Sequence, residues 1–223
     1  MNSYQNIAFL QNLYRLKALG FSYVDPIQPN AFQPKILPLA DSYETLCATI
    51  SQCHLCDLSK SRTQSMVGFG NPHPKVVIVD EVVSAAEDSS NGYYVGRSGT
   101  MLRDMIEKVL QLSVDEVYFT HAVKCKPYGF QKPSPSECRS CSPFLHQQLT
   151  LLSPKLIIAL GDQAYRLLTH DEGDFEQVRG QRIPFGRYTV IPLYHPAFLV
   201  RNPSFKKEAL RDLQSIKKFL LEC

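Results

Sequence analysis

Four short runs of apolar, mostly branched residues, separated by stretches of helical periodicity, constrain this chain more than any other feature. The runs are Val76-Val77-Ile78-Val79, Val117-Tyr118-Phe119-Thr120, Leu156-Ile157-Ile158-Ala159-Leu160 and Tyr188-Thr189-Val190-Ile191. Apolar runs of this length without polar alternation suit strands buried on both faces, as in a parallel sheet covered by helices. The segments between and after them fit the covering layers. Leu102, Met105, Ile106 and Val109 fall on one helix face, and Leu210, Leu213, Ile216 and Leu220 give the last helix an apolar stripe. The expected fold class is α/β, a three-layer α/β/α domain with a mostly parallel central sheet. In such sheets ligands bind beyond the carboxyl ends of the strands, which directs attention to the segments that start at Asp80, His121, Gly161 and Pro192.

Two regions are expected. Helical spacing over residues 4–19 followed by Pro26, Pro29, Pro34 and Pro38 reads as a helix and proline-rich tether over residues 1–40, and residues 41–223 form the domain. The N-terminus has no basic cluster leading into an apolar stretch, and no segment approaches about 20 uninterrupted apolar residues. A cytoplasmic protein without membrane contact is therefore expected, and with no coiled-coil seam, a monomer. Seven cysteines in a reducing compartment point to metal ligands or buried thiols before disulfides. The formal charge of +3 is mild, but Lys124, Lys126, Lys132 and Arg139 gather near three cysteines, and Arg201, Lys206, Lys207 and Arg211 follow a His-Pro turn. That distribution permits a polyanionic partner.

Cys53 and Cys56 form a CxxC pair in a polar stretch with His54, Asp57 and Lys60, an unsuitable setting for thiols that merely pack. Two partners are needed for a four-thiolate site. A second CxxC, Cys138 with Cys141, follows the arithmetic of structural zinc, whereas Cys125 with Cys141 suits the wider bite of an iron-sulfur cluster. Spacing by itself favours zinc. Cys47 and Cys223 read as packing thiols.

From about residue 50 to 220 the chain resembles the family 4 uracil-DNA glycosylases. The resemblance is carried by Cys53, Cys56, Leu58 and Arg62-Thr63, by Gly68-Phe69-Gly70-Asn71-Pro72, Glu87-Asp88 and Gly92-Tyr93-Tyr94-Val95-Gly96-Arg97-Ser98-Gly99. Further along, Val123-Lys124-Cys125-Lys126-Pro127, Cys141-Ser142-Pro143-Phe144-Leu145, Leu160-Gly161, Val178-Arg179-Gly180 and His195-Pro196-Ala197-Phe198-Leu199-Val200-Arg201 continue it in order. It implies a 4Fe-4S cluster on Cys53, Cys56, Cys125 and Cys141, with Cys138 spare, against the reading from spacing. It also implies an enzyme that flips uracil from single- or double-stranded DNA and hydrolyses its N-glycosidic bond. By position in the motifs, His195 is the donor to the leaving base, Tyr94 stacks on the base, and Pro196, Ala197 and Arg201 belong to the loop that presses on DNA. Gly92 and Gly96 would let the backbone approach a ligand, and Gly99 with Thr100 would open a helix whose free N–H groups face a phosphate.

Two segments depart from the family pattern. The catalytic loop, roughly Gly-Glu-Ala-Pro-Gly in the family, is here Asp80-Glu81-Val82-Val83-Ser84. Glu81 remains a candidate general base, and Asp80 and Val82 are candidate base contacts, but β-branched residues tolerate few unusual backbone angles, so the loop must take another shape. His121 stands where the family has an asparagine that grips two atoms of the uracil edge. The donor and acceptor of an imidazole point apart, which suggests weaker uracil discrimination or another damaged base such as hypoxanthine or xanthine. A lesion-binding iron-sulfur protein without hydrolysis and a zinc-stabilised protein unrelated to DNA stay open as alternatives.

Overall fold

The computed structural model describes residues 40–129 and 131–222. The helix and tether expected over residues 1–40 lie, Ala40 apart, outside the described residues. Ser42 caps α1 (Tyr43–Ser51) by accepting from Thr45 N, and the chain then passes Cys53 and Cys56 into a 3-10 turn at Asp57–Lys60. There follow β1 (Phe69–Gly70), β2 (Val76–Val82), α2 (Ala85–Ser90), α3 (Gly96–Asp104) continued by a π turn over Met105–Leu110, and β3 (Tyr118–Val123). Next come α4 (Pro135–Leu152), β4 (Leu156–Leu160), α5 (Gly161–Thr169), α6 (Phe175–Val178), β5 (Ile183–Phe185) and β6 (Tyr188–Leu193). The last helices are α7 (Pro196–Arg201) and α8 (Lys206–Glu222).

Among the described residues six strands form one sheet in the order β1-β3-β2-β4-β6-β5. The central four are parallel and only the short edge strands run antiparallel. All four runs singled out in the sequence are strands of this sheet. Because successive side chains of a strand point to opposite faces, β2 feeds two cores. Val76 and Ile78 pack with Leu102, Ile106, Leu213 and Ile216, while Val77 and Val79 pack with Leu145, Leu149 and Leu168. Each such side chain, fully buried, contributes about 1.5–3 kcal/mol, and together they hold helices on both faces. The expected three-layer α/β/α architecture with a mostly parallel sheet is the one observed.

The structure corrects several local expectations. In the last helix Leu210 is 41% exposed and Ala209 takes the buried position, so the apolar stripe runs through Ala209, Leu213 and Ile216. Helix α3 begins at Gly96, which places Gly99 inside it rather than at its start. Strands β2 and β3 run past the apolar residues, so Asp80, Glu81, Val82 and His121 lie within strands and not in loops after them. Among the described residues no helix is long and apolar enough to cross a membrane.

Candidate active site and cysteine cavity

Parallel order changes direction between β2, which leads to β3 on one side, and β4, which leads to β6 on the other. At such a switch point the loops splay apart and leave a crevice at the carboxyl ends. A cavity of ≈ 250 Å³ lies there, lined by Asp80, Glu81 and Val82 of β2, Tyr94, Phe119, and the His195-Pro196-Ala197 turn after β6. Of the residues singled out in the sequence, the fold thus brings Asp80, Glu81, Val82, Tyr94, His195, Pro196 and Ala197 to one cavity. Exposed Arg201 sits at the end of α7, its Nε donating to Ala197 O. His121 is not brought to the cavity wall.

The His195 ring is fixed from three directions. Ala197 N donates to Nδ1 (2.9 Å), which leaves the ring hydrogen on Nε2, and Nε2 meets Asp80 Oδ1 at 2.9 Å. Behind it Gly161, at φ +86°, lies so close that a Cβ there would sit 3.2 Å from His195 Cβ. Burial disfavours the charged ring, but the facing carboxylates of Asp80, Glu81 and Glu87 outweigh it and hold the His195 pKa above its ordinary value. Burial likewise works to raise Asp80. The His195 ring, His121 and the Glu81 backbone N–H together hold that carboxyl below the ordinary range. Glu81 goes the other way: burial, reinforced by Asp80 and Asp162 and only partly offset by Lys132 and His195, pushes its carboxyl up. Two adjacent carboxyls are thereby driven apart in acidity, the usual signature of different chemical roles.

The divergent catalytic segment does take a different shape. Instead of a glycine-rich loop, β2 extends through Val82, Val83 is buried, and Ser84 caps α2 in a reciprocal capping box with Glu87. The Ser84-x-x-Glu87 spacing was readable from the sequence as a helix start. Glu87 Oε2 also meets His121 Nε2 at 3.2 Å. Its carboxyl, which burial would raise, is held low by that bond and by the Ser84 donors. His121 is 0% exposed, sits against Tyr93 and Phe119, and has no partner for Nδ1 among the described residues. The ring therefore orients Glu87 beneath the cavity; the expected contact with a base edge is not what the fold provides.

Tyr94 forms the aromatic wall with Phe119, their centroids 5.1 Å apart. Its backbone is left-handed, φ 58°, and a Cβ on Gly99 would fall 2.1 Å from the Tyr94 carbonyl carbon. Gly99 is thus required by the turn that presents Tyr94, not by a phosphate. Gly99→Ala is expected to destabilise the domain by about 1–3 kcal/mol, the ordinary cost of overpacking, with a thermal melt as the measure. An unchanged melting temperature would show that the turn relaxes freely.

A second cavity is lined by Cys53, Cys56, Cys125 and Cys141 together with Arg62 and Lys124. Cys138 instead lines a neighbouring depression with Arg139 and Leu167. Of the two ligand sets that spacing leaves open, the one with Cys125 and Cys141 lines a common cavity with Cys53 and Cys56, while Cys138 packs against the same apolar cluster and lines the neighbouring depression. Arg62 clamps the region, donating to Cys125 Sγ (2.8 Å) and Cys53 O (2.6 Å), and Lys124 N donates to Cys141 Sγ (3.3 Å). Burial pushes the Cys141 thiol up to about 11. Among the described residues no three His, Cys, Asp or Glu side chains converge as on a single ion. Four thiols spaced around a cavity with cationic and N–H donors against the sulfurs fit a polynuclear thiolate-bound cluster. Thr63, next to Arg62, ties this region to the other site: its N and Oγ1 donate to the buried Asp88 carboxylate of α2.

Lys124, whose place in the sequence beside Lys126 and Lys132 points to a surface base, is 1% exposed and donates to Thr120 Oγ1 (2.5 Å) and Gln148 Oε1 (2.6 Å). It is removed from any polyanion-binding face. Exposed Arg97 and Lys206 share a depression beside the first cavity, a juxtaposition that sequence order hid.

A family model, the uracil DNA glycosylase superfamily, matches residues 67–214. A type-4 uracil-DNA glycosylase of Thermotoga maritima is 32% identical over 79% of this chain and 94% of its own length. One of Sulfurisphaera tokodaii is 30% identical over 81% of this chain and 86% of its own, and one of Pyrobaculum aerophilum is 32% identical over 74% and 87%.

Proposed function

The chain belongs to the uracil DNA glycosylase superfamily, and from that premise we propose that it flips uracil out of DNA into the ≈ 250 Å³ cavity and cleaves it from the sugar. It is a DNA glycosylase, a repair hydrolase of N-glycosidic bonds, and DNA is its partner. The observation that carries the uracil reading is the meeting of Glu81, His195 and the Tyr94-Phe119 wall at one cavity. Extrusion of a base costs a few kcal/mol, which stacking and edge contacts must offset. Tyr94 and Phe119 supply the stacking surface, and Pro196 and Ala197 border the entrance. Arg201, with Arg97 and Lys206 nearby, supplies charge for backbone phosphates.

In the reaction Glu81 takes a proton from water as the water oxygen bonds to C1′ of the sugar. The C1′–N1 bond breaks and its electrons pass into the base, where negative charge grows on a carbonyl oxygen. His195 Nε2–H stabilises that charge. The raised pKa of Glu81 makes its carboxylate a better base than an ordinary glutamate, and the tautomer set by Ala197 N leaves a fixed donor on Nε2.

Cys53, Cys56, Cys125 and Cys141 are the residues that would hold a 4Fe-4S cluster, which would pin the segments around Cys53 and Cys125 together. Glycosidic hydrolysis needs no electron transfer. The alternatives of a lesion-binding module and of a hypoxanthine or xanthine specificity find no support in the relatives, and family membership removes the zinc protein unrelated to DNA. The test is a single-turnover abasic-site assay with protein in excess over uracil-containing single- and double-stranded oligonucleotides. Uracil-dependent strand scission after alkali is expected, faster where the base is unpaired. Failure to release uracil from either substrate would refute the proposal.

A further inference from the structure

We propose that Asp80 and His195 act as a pair that reads one edge of the extruded base, Asp80 accepting from a ring N–H while His195 donates to the carbonyl beside it. This deepens the base-excision reading and rests on it. The uracil edge offers an alternation of carbonyl acceptor and N3–H donor, and recognition needs the complementary alternation of donor and acceptor in the protein. The structure holds such a pair at the cavity surface, His195 Nε2–H and the Asp80 carboxylate, 2.9 Å apart. Among the described residues both hydrogen bonds to the Asp80 carboxyl fall on Oδ1, one from His195 and one from Glu81 N. Oδ2 is left for a ligand. In the free protein donor and acceptor satisfy one another, so neither is left costly and unpaired before the base arrives.

The side chain that would otherwise read the edge is turned away. His121 is fully buried and bonded to Glu87, so the cavity has no amide at that position to grip two atoms at once. Asp80, the Cα partner of His121 in the sheet register, projects from the adjacent strand. An ionised carboxylate only accepts, and the influences that keep Asp80 acidic hold it in that form. The pair therefore selects bases with a ring N–H next to a carbonyl and disfavours bases whose ring nitrogen there carries a lone pair or an alkyl group. A site built to bond an N–H discriminates strongly against analogues without it, because its own polar group is then stranded.

The test compares single-turnover excision of uracil and 3-methyluracil from single-stranded oligonucleotides by the wild type, Asp80→Ala and Asp80→Asn. The wild type is expected to prefer uracil, and Asp80→Ala to lose about 10- to 100-fold of that preference, the effect of one hydrogen bond to a charged group. Asp80→Asn keeps the size of the side chain and a neutral carbonyl acceptor, so it should lose part of the preference. A preference unchanged in Asp80→Asn and lost only in Asp80→Ala would mean the cavity merely excludes the methyl group, and the inference fails. Equal slowing on both substrates would mean a structural role, and it also fails. Uracil excision by the wild type with a preference independent of Asp80 overturns the edge-reading pair alone; absence of uracil excision overturns the base-excision reading together with it.

Discussion

Replacing His195 by alanine is expected to slow single-turnover uracil excision by about 10²–10³-fold, the effect of removing one preorganised donor from a developing oxyanion. Glu81→Gln should cost about 10²–10⁴-fold, as for loss of a general base. The two variants differ in their pH dependence, which makes the assignment specific. Burial raises the Glu81 carboxyl above its ordinary value, and a base works only when deprotonated. The wild-type rate should therefore fall with decreasing pH at a higher pH than an ordinary glutamate would set. Asp80 cannot supply that limb, since its carboxyl is held below the ordinary range. Glu81→Gln should abolish the limb, while His195→Ala should keep it at a lower rate. Measuring the rate against pH for the three proteins checks this, and an acid limb that survives in Glu81→Gln would remove Glu81 from the role of base.

Cys141→Ala in the full chain, purified without oxygen, is expected to lose iron and visible absorbance and to fall in stability by more than about 4 kcal/mol, the range reserved for lost cores and lost metals. Cys141 is buried, its thiol is pushed up to about 11, and it takes a hydrogen bond from Lys124 N. A thiol so situated stays protonated at neutral pH, and a metal must displace that proton to bind. Cys138→Ala is the contrasting variant: Cys138 faces the neighbouring depression and its removal should leave iron content unchanged. Iron counted per chain in the two proteins decides between the ligand sets. Loss of iron in Cys138→Ala would put Cys138 in the place of Cys125, and retention in Cys141→Ala would contradict both sets.

Much of the scaffold was legible because strand burial leaves a local trace. Val76 to Val79 and Leu156 to Leu160 are buried on both faces, and a run of branched residues is what that environment requires. The shape of the altered segment was legible in part: Val82 and Val83 argued against a glycine-like loop, and β2 does extend through Val82. What was hidden depends on encounters between distant segments. Lys124 looked like a surface base, yet Thr120 and Gln148 from β3 and α4 enclose it. His121 looked like a base reader, yet the capping box that ends in Glu87 places a carboxylate where the ring must turn to meet it.

By itself the sequence determined the layered α/β class, the family through its ordered motifs, and the candidate groups Glu81 and His195, since periodicity and motif spacing are written along the chain. Only the tertiary structure decided which cysteines share a cavity, that Gly99 serves the Tyr94 turn, and that Asp80 meets His195 across 115 positions. The physical reason is that hydrogen bonds and burial act over a few ångströms in space. Sequence distance carries no record of which strands the sheet will set side by side.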